Sequence, residues 1–484
     1  MELSHESTIR EWQQAMEAGT TTSRELTSLF LKRIAQYDKQ GIAVNAISEI
    51  NPDALHIAEA LDRERVEKGS RGPLHGIPVL IKDNIATGDS MHTTAGSLAL
   101  ADSYASADSF VAARLREAGA VLLGKTNLTE WANYMTENMT NGYSSRGGQV
   151  LNPYGPGQLD VGGSSSGSGS AIASGFAVVA VGTETSGSIL HPSVKNSLVG
   201  IKPTVGLISR RGIIPISTSQ DTAGPMARRV EDAAILLGAL TGVDEQDPVT
   251  GRSLGLSHAD YQPFLDVNGL QGARIGIIRS FFLDRYDDEE KRLYEDAIDH
   301  LRQAGATVID AVTIPTENAQ WGPNVLLHEF KSGVNAYLKT LPASYPIRTL
   351  SDVIAFNREH EERALRFGQV LLERANATSG TLTEAAYLNQ RAYDLEMSQD
   401  KGINAVLKEH NLDCILFPGS EGYGIAARAG YPSVTVPSGY TSAGKPFGIM
   451  FTGLAFSEPA LIRMAYAYEQ ATRLRIPPQM ESKK

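Results

Sequence analysis

Cysteine is almost absent from this chain of 484 residues, which contains only Cys414. A single cysteine cannot form a disulfide bond within the chain, so a disulfide framework is excluded. Cys414 lies in the apolar run at residues 413–417, and this setting predicts a small buried side chain. Hydrophobic residues make up 42% of the sequence and charged residues 20%, which is typical of a globular protein with a large core.

An excess of basic residues is also missing. The formal net charge is -11 and the sequence pI is about 5.5. Proteins that bind nucleic acids usually carry a strongly basic surface, so the composition argues against a nucleic-acid partner.

Long hydrophobic runs are absent. The longest mostly apolar stretch, near residues 171–181, is shorter than the roughly 20 residues that a membrane-spanning helix needs. Residues 1–6 are polar and do not begin a secretory signal. We therefore expect a cytoplasmic protein without a membrane partner.

Metal-ligand spacing is not found among the histidines. His5, His56, His75, His92 and His191 are scattered along the sequence, and no second cysteine could complete a site. We expect no metal.

Apolar strands and helices alternate through most of the chain. Residues 77–81, 120–123 and 177–181 predict buried strands, and residues 110–118 predict a helix. Length alone suggests two or three domains. Strands and helices alternate without a clear linker, which predicts an α/β sheet protected on both faces. Along the chain we expect a core at 70–240 that carries the chemistry, a mainly helical cap or insertion at 320–410 and a loose tail at 477–484.

Residues 119–126 match G-x-x-x-x-G-K-[ST], the pattern of a phosphate-binding loop. Such a loop follows a strand and is flexible between its two glycines. Here the residues between Gly119 and Gly124 are themselves the predicted strand, and a helix precedes them. The pattern favours a strand over a nucleotide site.

Residues 163–167 match G-x-S-x-G, the turn that holds the nucleophile of α/β-hydrolases. In this alternative, Ser165 is the nucleophile of an esterase, and a histidine must follow later in the chain. His410 is the last histidine and lies in a polar helix end, and residues 158–162 form a poor strand. The alternative stays open with little support from the surrounding sequence.

Lys82 and Ser188 each lie at the end of a predicted strand. A lysine acts as a base near pH 7 only when its pKa falls by roughly 3 units, and burial supplies shifts of that size. The turn G-T-E-T-S-G-S that ends at Ser188 can direct backbone N–H groups into one concavity, which stabilises an oxyanion. Taken alone, Lys82 is better explained as a salt-bridged lysine, and the residues before Ser188 as a simple strand-ending turn.

Several ordered motifs resemble the amidase signature family from about residue 22 to residue 478. They are G-I-P-V-L-I-K-D-N at 76–84, G-K-T-N-L at 124–128, G-G-S-S at 162–165, G-T-E-T-S-G-S at 182–188, V-G-I-K-P-T-V-G at 199–206, D-T-A-G-P-M at 221–226 and A-G-Y-P-S-V-T-V-P at 429–437. The resemblance implies the amidase signature fold, a single large α/β domain over residues 1–484 with a mixed central sheet covered by helices on both faces. It also implies a hydrolase of carboxamide C–N bonds that needs no cofactor.

The resemblance also implies a Ser-Ser-Lys triad. Ser188 would be the nucleophile that forms the acyl-enzyme, Ser164 the bridging serine and Lys82 the base. The family spacing between the two serines selects Ser164 rather than Ser165 or Ser166, and in the family a cis peptide bond precedes the bridging serine. The oxyanion hole would consist of the backbone N–H groups of Thr185, Ser186, Gly187 and Ser188.

Three features depart from the family pattern, and they bear on the pocket wall and the oxyanion geometry rather than on the triad. Ser186 replaces a glycine, Leu190 stands where arginine is common, and the glycine run after the bridging serine reads S-S-G-S at 165–168. Residues 94–100, 126–133 and 213–224 are similar to the bacterial peptide amidases, which remove the C-terminal amide of peptides. The expected partner is therefore a small-molecule or peptide amide.

Amidotransferase subunits that use ammonia on charged tRNA resemble the same family, and this role remains an alternative. The acidic chain offers no basic surface for tRNA, although a partner protein could provide one. The sequence leaves open whether the protein is a monomer or a homodimer.

Overall fold

The strands are short and mostly buried, as expected for a sheet that is protected on both faces. The computed structural model describes residues 3–481. The strands are β1 (Ile47–Ile50), β2 (Pro78–Lys82), β3 (Val121–Thr126), β4 (Tyr143–Ser144), β5 (Gly148–Gln149), β6 (Val179–Glu184), β7 (Val199–Lys202), β8 (Thr222–Ala227), β9 (Arg274–Ile278), β10 (Thr307–Val312), β11 (Cys414–Pro418), β12 (Ser433–Tyr440) and β13 (Pro446–Thr452).

Helices fill most of the segments between the strands. They are α1 (Ile9–Glu17), α2 (Ser23–Tyr37), α3 (Ala54–Lys68), α4 (Phe110–Glu117), α5 (Glu130–Asn133), α6 (Ser166–Ala173), α7 (Leu190–Lys195), α8 (Val230–Leu240), α9 (Asp288–Gln303), α10 (Asn324–Thr340), α11 (Leu350–Glu359), α12 (Glu361–Ala364), α13 (Val370–Asn376), α14 (Ala385–Leu395), α15 (Asn404–Glu409), α16 (Tyr423–Ala429) and α17 (Glu458–Thr472). The capping box that the sequence predicts at Thr22 and Glu25 starts α2.

One 11-stranded sheet forms the centre of the molecule, in the order β1-β3-β2-β6-β8-β7-β12-β13-β11-β9-β10. Strands β3, β2 and β6 are parallel to one another, and so are β11, β9 and β10. The other neighbours pair antiparallel, and β4 and β5 form a separate hairpin. The mixed sheet with helices on both faces confirms the predicted fold class.

Helix α6 lies unusually close to the sheet because its glycines allow it. A Cβ atom on Gly167 would lie 2.2 Å from the carbonyl oxygen of Asn127. Every residue of α6 is buried. The close approach brings the start of the helix, where Ser164 lies, to the ends of strands β2 and β6.

The register of β2 and β3 decides which face each side chain occupies. Ile81 lies opposite Lys125, and Lys82 lies opposite Thr126. Because successive side chains point to opposite faces, Lys82 and Thr126 share one face and Lys125 lies on the other. The Thr126 hydroxyl lies 2.8 Å from the Ser168 hydroxyl of α6, so Lys82 faces this helix.

Helices from α10 to α15 occupy residues 324–409. Several of them pack on a second cluster of buried apolar side chains, which joins them to the segments around residues 95–100, 131–139 and 214–216. This cluster places a helical layer over the part of the core that follows β3.

The C-terminal end contacts the rest of the molecule. Met480, within the predicted tail, is buried in the main core, and the guanidinium of Arg475, which precedes the tail, donates to Glu6. Residues 482–484 of that predicted tail lie outside the described residues. Cys414 is fully buried, as predicted. Among the helices within residues 3–481, none is both long enough and apolar enough to span a membrane.

Candidate active site

Lys82 is fully buried at the end of β2, and its amine contacts three oxygen atoms. The Nζ atom lies 2.8 Å from the Ser164 Oγ, 2.9 Å from the Thr183 Oγ1 and 3.2 Å from the Thr183 carbonyl oxygen. A neutral amine has two N–H donors and one lone pair. It can therefore donate to the two Thr183 oxygens while it accepts a proton from the Ser164 hydroxyl.

Burial lowers the pKa of Lys82 to about 7, while the carboxylates of Glu184 and Asp221 act in the opposite direction. The ordinary value is close to 10.4, so a large fraction of this amine is uncharged at neutral pH. The environment therefore provides a base without histidine.

Ser164 follows a cis peptide bond with Gly163, as the family resemblance implied. The Ser164 hydroxyl forms a hydrogen bond with the Lys82 amine, and the Ser164 carbonyl oxygen accepts the N–H of Thr129 at 3.0 Å. The next N–H, that of Ser165, donates to the carbonyl oxygen of Ser188 at 3.1 Å. This backbone bond holds the loop of Ser188 directly against the segment that carries Ser164.

Ser165 is not placed as a nucleophile. The Ser165 hydroxyl donates to the Thr183 carbonyl oxygen at 3.1 Å and accepts the Thr183 N–H at 3.3 Å. The chain from β5 to α6 runs through loops and turns rather than through a strand. The strand–turn–helix setting that an α/β-hydrolase nucleophile requires is therefore not the setting of Ser165.

Ser188 lies in the loop between β6 and α7, and 7% of its surface is exposed. The fully buried carboxylate of Glu184 accepts the N–H groups of Gly187 at 2.8 Å, Ile189 at 2.6 Å and Leu190 at 2.9 Å. These three bonds fix the loop around the serine. They also engage the Gly187 N–H, which the family resemblance had assigned to the oxyanion hole.

Asp221 is a part of the site whose role sequence reasoning missed. It accepts the Thr185 hydroxyl, and its second oxygen accepts the N–H groups of Ile216 and Ser217 at 2.9 Å. Burial raises its pKa to about 6, and the hydrogen bond from Thr185 opposes the rise. The D-T-A-G-P-M motif marked the residue, but its contact with the loop of Ser188 depends on the pairing of β6 with β8.

Lys125, in the phosphate-loop pattern, lies within β3, as predicted for a strand. It is fully buried, and its amine donates to the Ile85 carbonyl oxygen at 2.6 Å and to the Thr93 hydroxyl at 3.0 Å. Within residues 3–481, no group of three or more His, Cys, Asp or Glu side chains is arranged to hold a metal ion.

Comparisons with known proteins identify relatives along the whole chain. A sequence model of the family described as Amidase matches residues 25–423. The X-ray structure of native peptide amidase from Stenotrophomonas maltophilia has a TM-score of 0.94 at 47% identity and covers 99% of both chains. A probable amidase of Arabidopsis thaliana is 43% identical over 484 residues, which is 98% of this chain and 91% of that protein.

A second group of relatives bears on the amidotransferase alternative. One subunit of the glutamyl-tRNA(Gln) amidotransferase from Halorhodospira halophila is 32% identical over 505 residues, covering 97% of this chain and 98% of that protein. The match to the Amidase family and to the solved peptide amidase structure argues against the esterase alternative with Ser165, which requires an α/β-hydrolase. This chain belongs to the amidase signature family and is a hydrolase of amide C–N bonds.

Proposed function

We propose that this chain hydrolyses the C-terminal carboxamide of peptides, with Ser188 as nucleophile, Ser164 as proton relay and Lys82 as base. One observation carries the proposal: the buried Lys82 amine, with a pKa of about 7, lies 2.8 Å from the Ser164 hydroxyl. The similarity to a peptide amidase over nearly the whole chain supports a peptide amide as the substrate.

The reaction begins with neutral Lys82. It takes the Ser164 proton as Ser164 takes the proton of Ser188, and the Ser188 oxygen forms a bond to the amide carbon. The C–N bond then breaks, and the proton returns through Ser164 to the leaving nitrogen, which departs as ammonia. Water attacks the resulting ester by the same proton route, and the acid product leaves the free serine.

The charge that develops on the amide oxygen needs backbone donors. Because the Gly187 N–H already donates to Glu184, the proposed oxyanion hole uses the N–H groups of Thr185, Ser186 and Ser188. Removing one such donor from a hole of this kind typically slows catalysis about 100- to 1000-fold. Glu184 and Asp221 act as positioning residues, since each holds part of this loop.

The test is ammonia release from a peptide amide by the purified chain and its serine variants. We expect Ser188→Ala to lower kcat/KM by at least about 10⁴-fold, because the nucleophile is lost. Ser170→Ala is a matched control, since Ser170 lies on α6 and its hydroxyl donates to the Leu151 carbonyl oxygen at 2.8 Å. Full turnover by Ser188→Ala, or a fluorophosphonate label on Ser165 instead of Ser188, contradicts the proposal.

A role in an amidotransferase is the second candidate, because a subunit of such an enzyme is 32% identical over 97% of this chain. It predicts ammonia release from glutamine in the presence of a partner protein and charged tRNA. The purified chain is therefore assayed alone with a peptide amide and with glutamine. Turnover of the peptide amide without any partner favours the hydrolase.

A further inference from the structure

A cavity of about 500 Å³ opens beside the nucleophile loop. Ser186 forms part of its wall, and the ring of Tyr423 lies against the next residue, since a Cβ atom on Gly187 would be 3.1 Å from that ring. The remaining walls come from residues 281–285, 317–321 and 421–428. The cavity therefore meets the loop of Ser188 directly.

The three outer walls follow the parallel strands β9, β10 and β11. Each wall begins a few residues beyond the carboxyl end of its strand. In open α/β sheets, ligands bind in the crevice outside the carboxyl ends of parallel strands. The position in the fold thus marks the cavity as a binding site, independently of its distance from the triad.

Aromatic rings and balanced charges line the cavity. Its aromatic residues are Phe281, Phe282, Trp321 and Tyr423. The Arg285 guanidinium donates to Glu421 at 2.8 Å, and the Arg428 guanidinium lies 4.7 Å from the centre of the Trp321 ring. With Glu317, the lining contains two arginines and two glutamates, so it has no net charge and suits a neutral occupant.

Phe281 is held in a costly conformation at the rim of the cavity. Its φ is 25°, a backbone region that bulky residues rarely adopt, and 39% of its surface is exposed. The Arg285 guanidinium lies 5.2 Å from the centre of the ring. Strained residues of this kind persist where the surrounding structure enforces them, and they are concentrated at active sites and ligand sites.

We propose that this cavity binds an aromatic side chain on the residue whose carboxamide is hydrolysed. The inference rests on the proposed function: ammonia is the leaving group, so all of the substrate's bulk lies on the acyl side. Ser186 and Ser188 are two residues apart, which is at most about 7.6 Å between their Cα atoms. In the acyl-enzyme, the substrate side chain is attached to the carbon next to the acyl carbon, so it can reach the cavity wall at Ser186. There it contacts aromatic rings in a lining without net charge.

The test compares N-acetyl-phenylalaninamide, N-acetyl-alaninamide and the α-amide of N-acetyl-glutamic acid, with ammonia release as the readout. We expect kcat/KM for the phenylalanine amide to exceed that for the alanine amide by about tenfold or more, because the ring is buried against the cavity wall. The glutamic acid derivative is expected to be the poorest substrate, since the lining offers no unpaired cation for its carboxylate.

Variants of residues that line the cavity test whether this substrate preference depends on it. Phe281→Ala is expected to lower the phenylalanine-to-alanine ratio about threefold or more, whereas Phe281→Leu, which keeps an apolar side chain, retains most of it. Tyr104→Ala is the matched control: Tyr104 is an aromatic residue that is 44% exposed and lies outside the cavity lining. Trp321→Leu is a second variant, in the wall at residues 317–321, and it is also expected to lower the phenylalanine-to-alanine ratio.

The outcomes separate this inference from the proposed function. A wild-type ratio near one overturns the inference, and so does a ratio that neither Phe281→Ala nor Trp321→Leu changes. Loss of the ratio in these two variants but not in Tyr104→Ala supports it. If none of the three amides is hydrolysed while another amide is, the proposed function fails and the inference fails with it. Equal hydrolysis of all three overturns the inference alone.

Discussion

Lys82 is the last residue of β2, and Lys125 is the last but one of the neighbouring parallel strand β3. Both lysines are fully buried, and they lie on opposite faces of the sheet. Burial lowers the pKa of both amines, to about 7 for Lys82 and to about 8 for Lys125, where the Asp83 carboxylate opposes the effect. Their partners differ. Lys82 contacts the hydroxyl of Ser164, whereas Lys125 donates to the Ile85 carbonyl oxygen and to Thr93.

The difference shows that burial alone does not make a lysine a catalytic base. The Ile85 carbonyl oxygen has no proton to give, and the Thr93 hydroxyl contacts Lys125 on the face of the sheet opposite Lys82 and Ser164, so the contacts of Lys125 hold the chain segments at residues 85 and 93 in place. Ser164 can pass a proton on, and its neighbour Ser165 is bonded to the carbonyl group of Ser188. The two strand ends thus separate a structural role from the proposed catalytic one under similar electrostatic conditions.

The largest expected effect comes from exchanging each lysine for methionine, which keeps the length of the side chain and removes the charge. Lys82→Met should lower kcat/KM by about 10³- to 10⁴-fold, because the general base is lost. Lys125→Met should lower the free energy of unfolding by about 2–3 kcal/mol, because buried hydrogen-bond acceptors lose their donor.

The two measurements are steady-state kinetics and urea unfolding, made on both variants. Residual activity of the folded Lys125→Met protein should stay within about tenfold of wild type, because this residue does not contact the proposed triad. If Lys125→Met were as inactive as Lys82→Met while still folded, the distinction between the two strand ends would not hold.

A change in the pH profile gives an intermediate effect. In the proposed mechanism neutral Lys82 is the active form, so kcat/KM should fall as the pH drops through about 7, the pKa of this amine. The Asp221 carboxylate favours the protonated amine, and its removal in Asp221→Asn should lower the pKa of Lys82. The acid limb of the profile then moves to lower pH, by about 0.5 unit.

Asparagine fits the position, because its oxygen can accept the N–H groups of Ile216 and Ser217 while its amide donates to the Thr185 hydroxyl. Asp266→Asn is the control for the loss of one negative charge, since Asp266 pairs with Arg463 instead. An acid limb that stays in place or moves to higher pH in Asp221→Asn counts against the role of Lys82 as base.

The smallest effect is expected for Ser165→Ala. The Ser165 hydroxyl donates to the Thr183 carbonyl oxygen, which also contacts Lys82, so its loss should lower kcat/KM only about threefold. Ser164→Ala should lower it by about 10³-fold, as expected for a residue that carries the proton. Similar losses in the two variants, measured side by side, would undermine the separate roles of these adjacent serines.

The fold class and the motifs of the site were predictable because both depend on short segments. Buried runs at residues 77–81 and 177–181 predicted β2 and β6, and the family motifs included every side chain around Lys82. Strands β7 and β8 were not predicted, since Gly200 interrupts one apolar pattern and the Gly224–Pro225 pair interrupts the other. Their positions depend on pairing with strands that are distant in sequence.

The parts of the site that could not be predicted depend on long-range packing. The engagement of the Gly187 N–H by Glu184 requires the turn geometry of the whole loop. The cavity walls come from three separate segments, and their meeting at Ser186 follows from the order β11-β9-β10 at one end of the sheet. Nothing in the local pattern around Phe281 or Tyr423 distinguishes these residues from ordinary loop aromatics.

The pairing of β7 with β12 has a consequence for synthesis on the ribosome. Gly200 donates to the Thr435 hydroxyl, a residue 235 positions later. Until β12 has been synthesised, the edge of β7 that will pair with it is unpaired, and such an edge can form hydrogen bonds with strands of other chains. When β7 emerges, the nascent protein already contains Lys82, Ser164 and Ser188, but the cavity walls at residues 281–285, 317–321 and 421–428 have not yet been made. The proposed binding cavity is thus complete only late in translation.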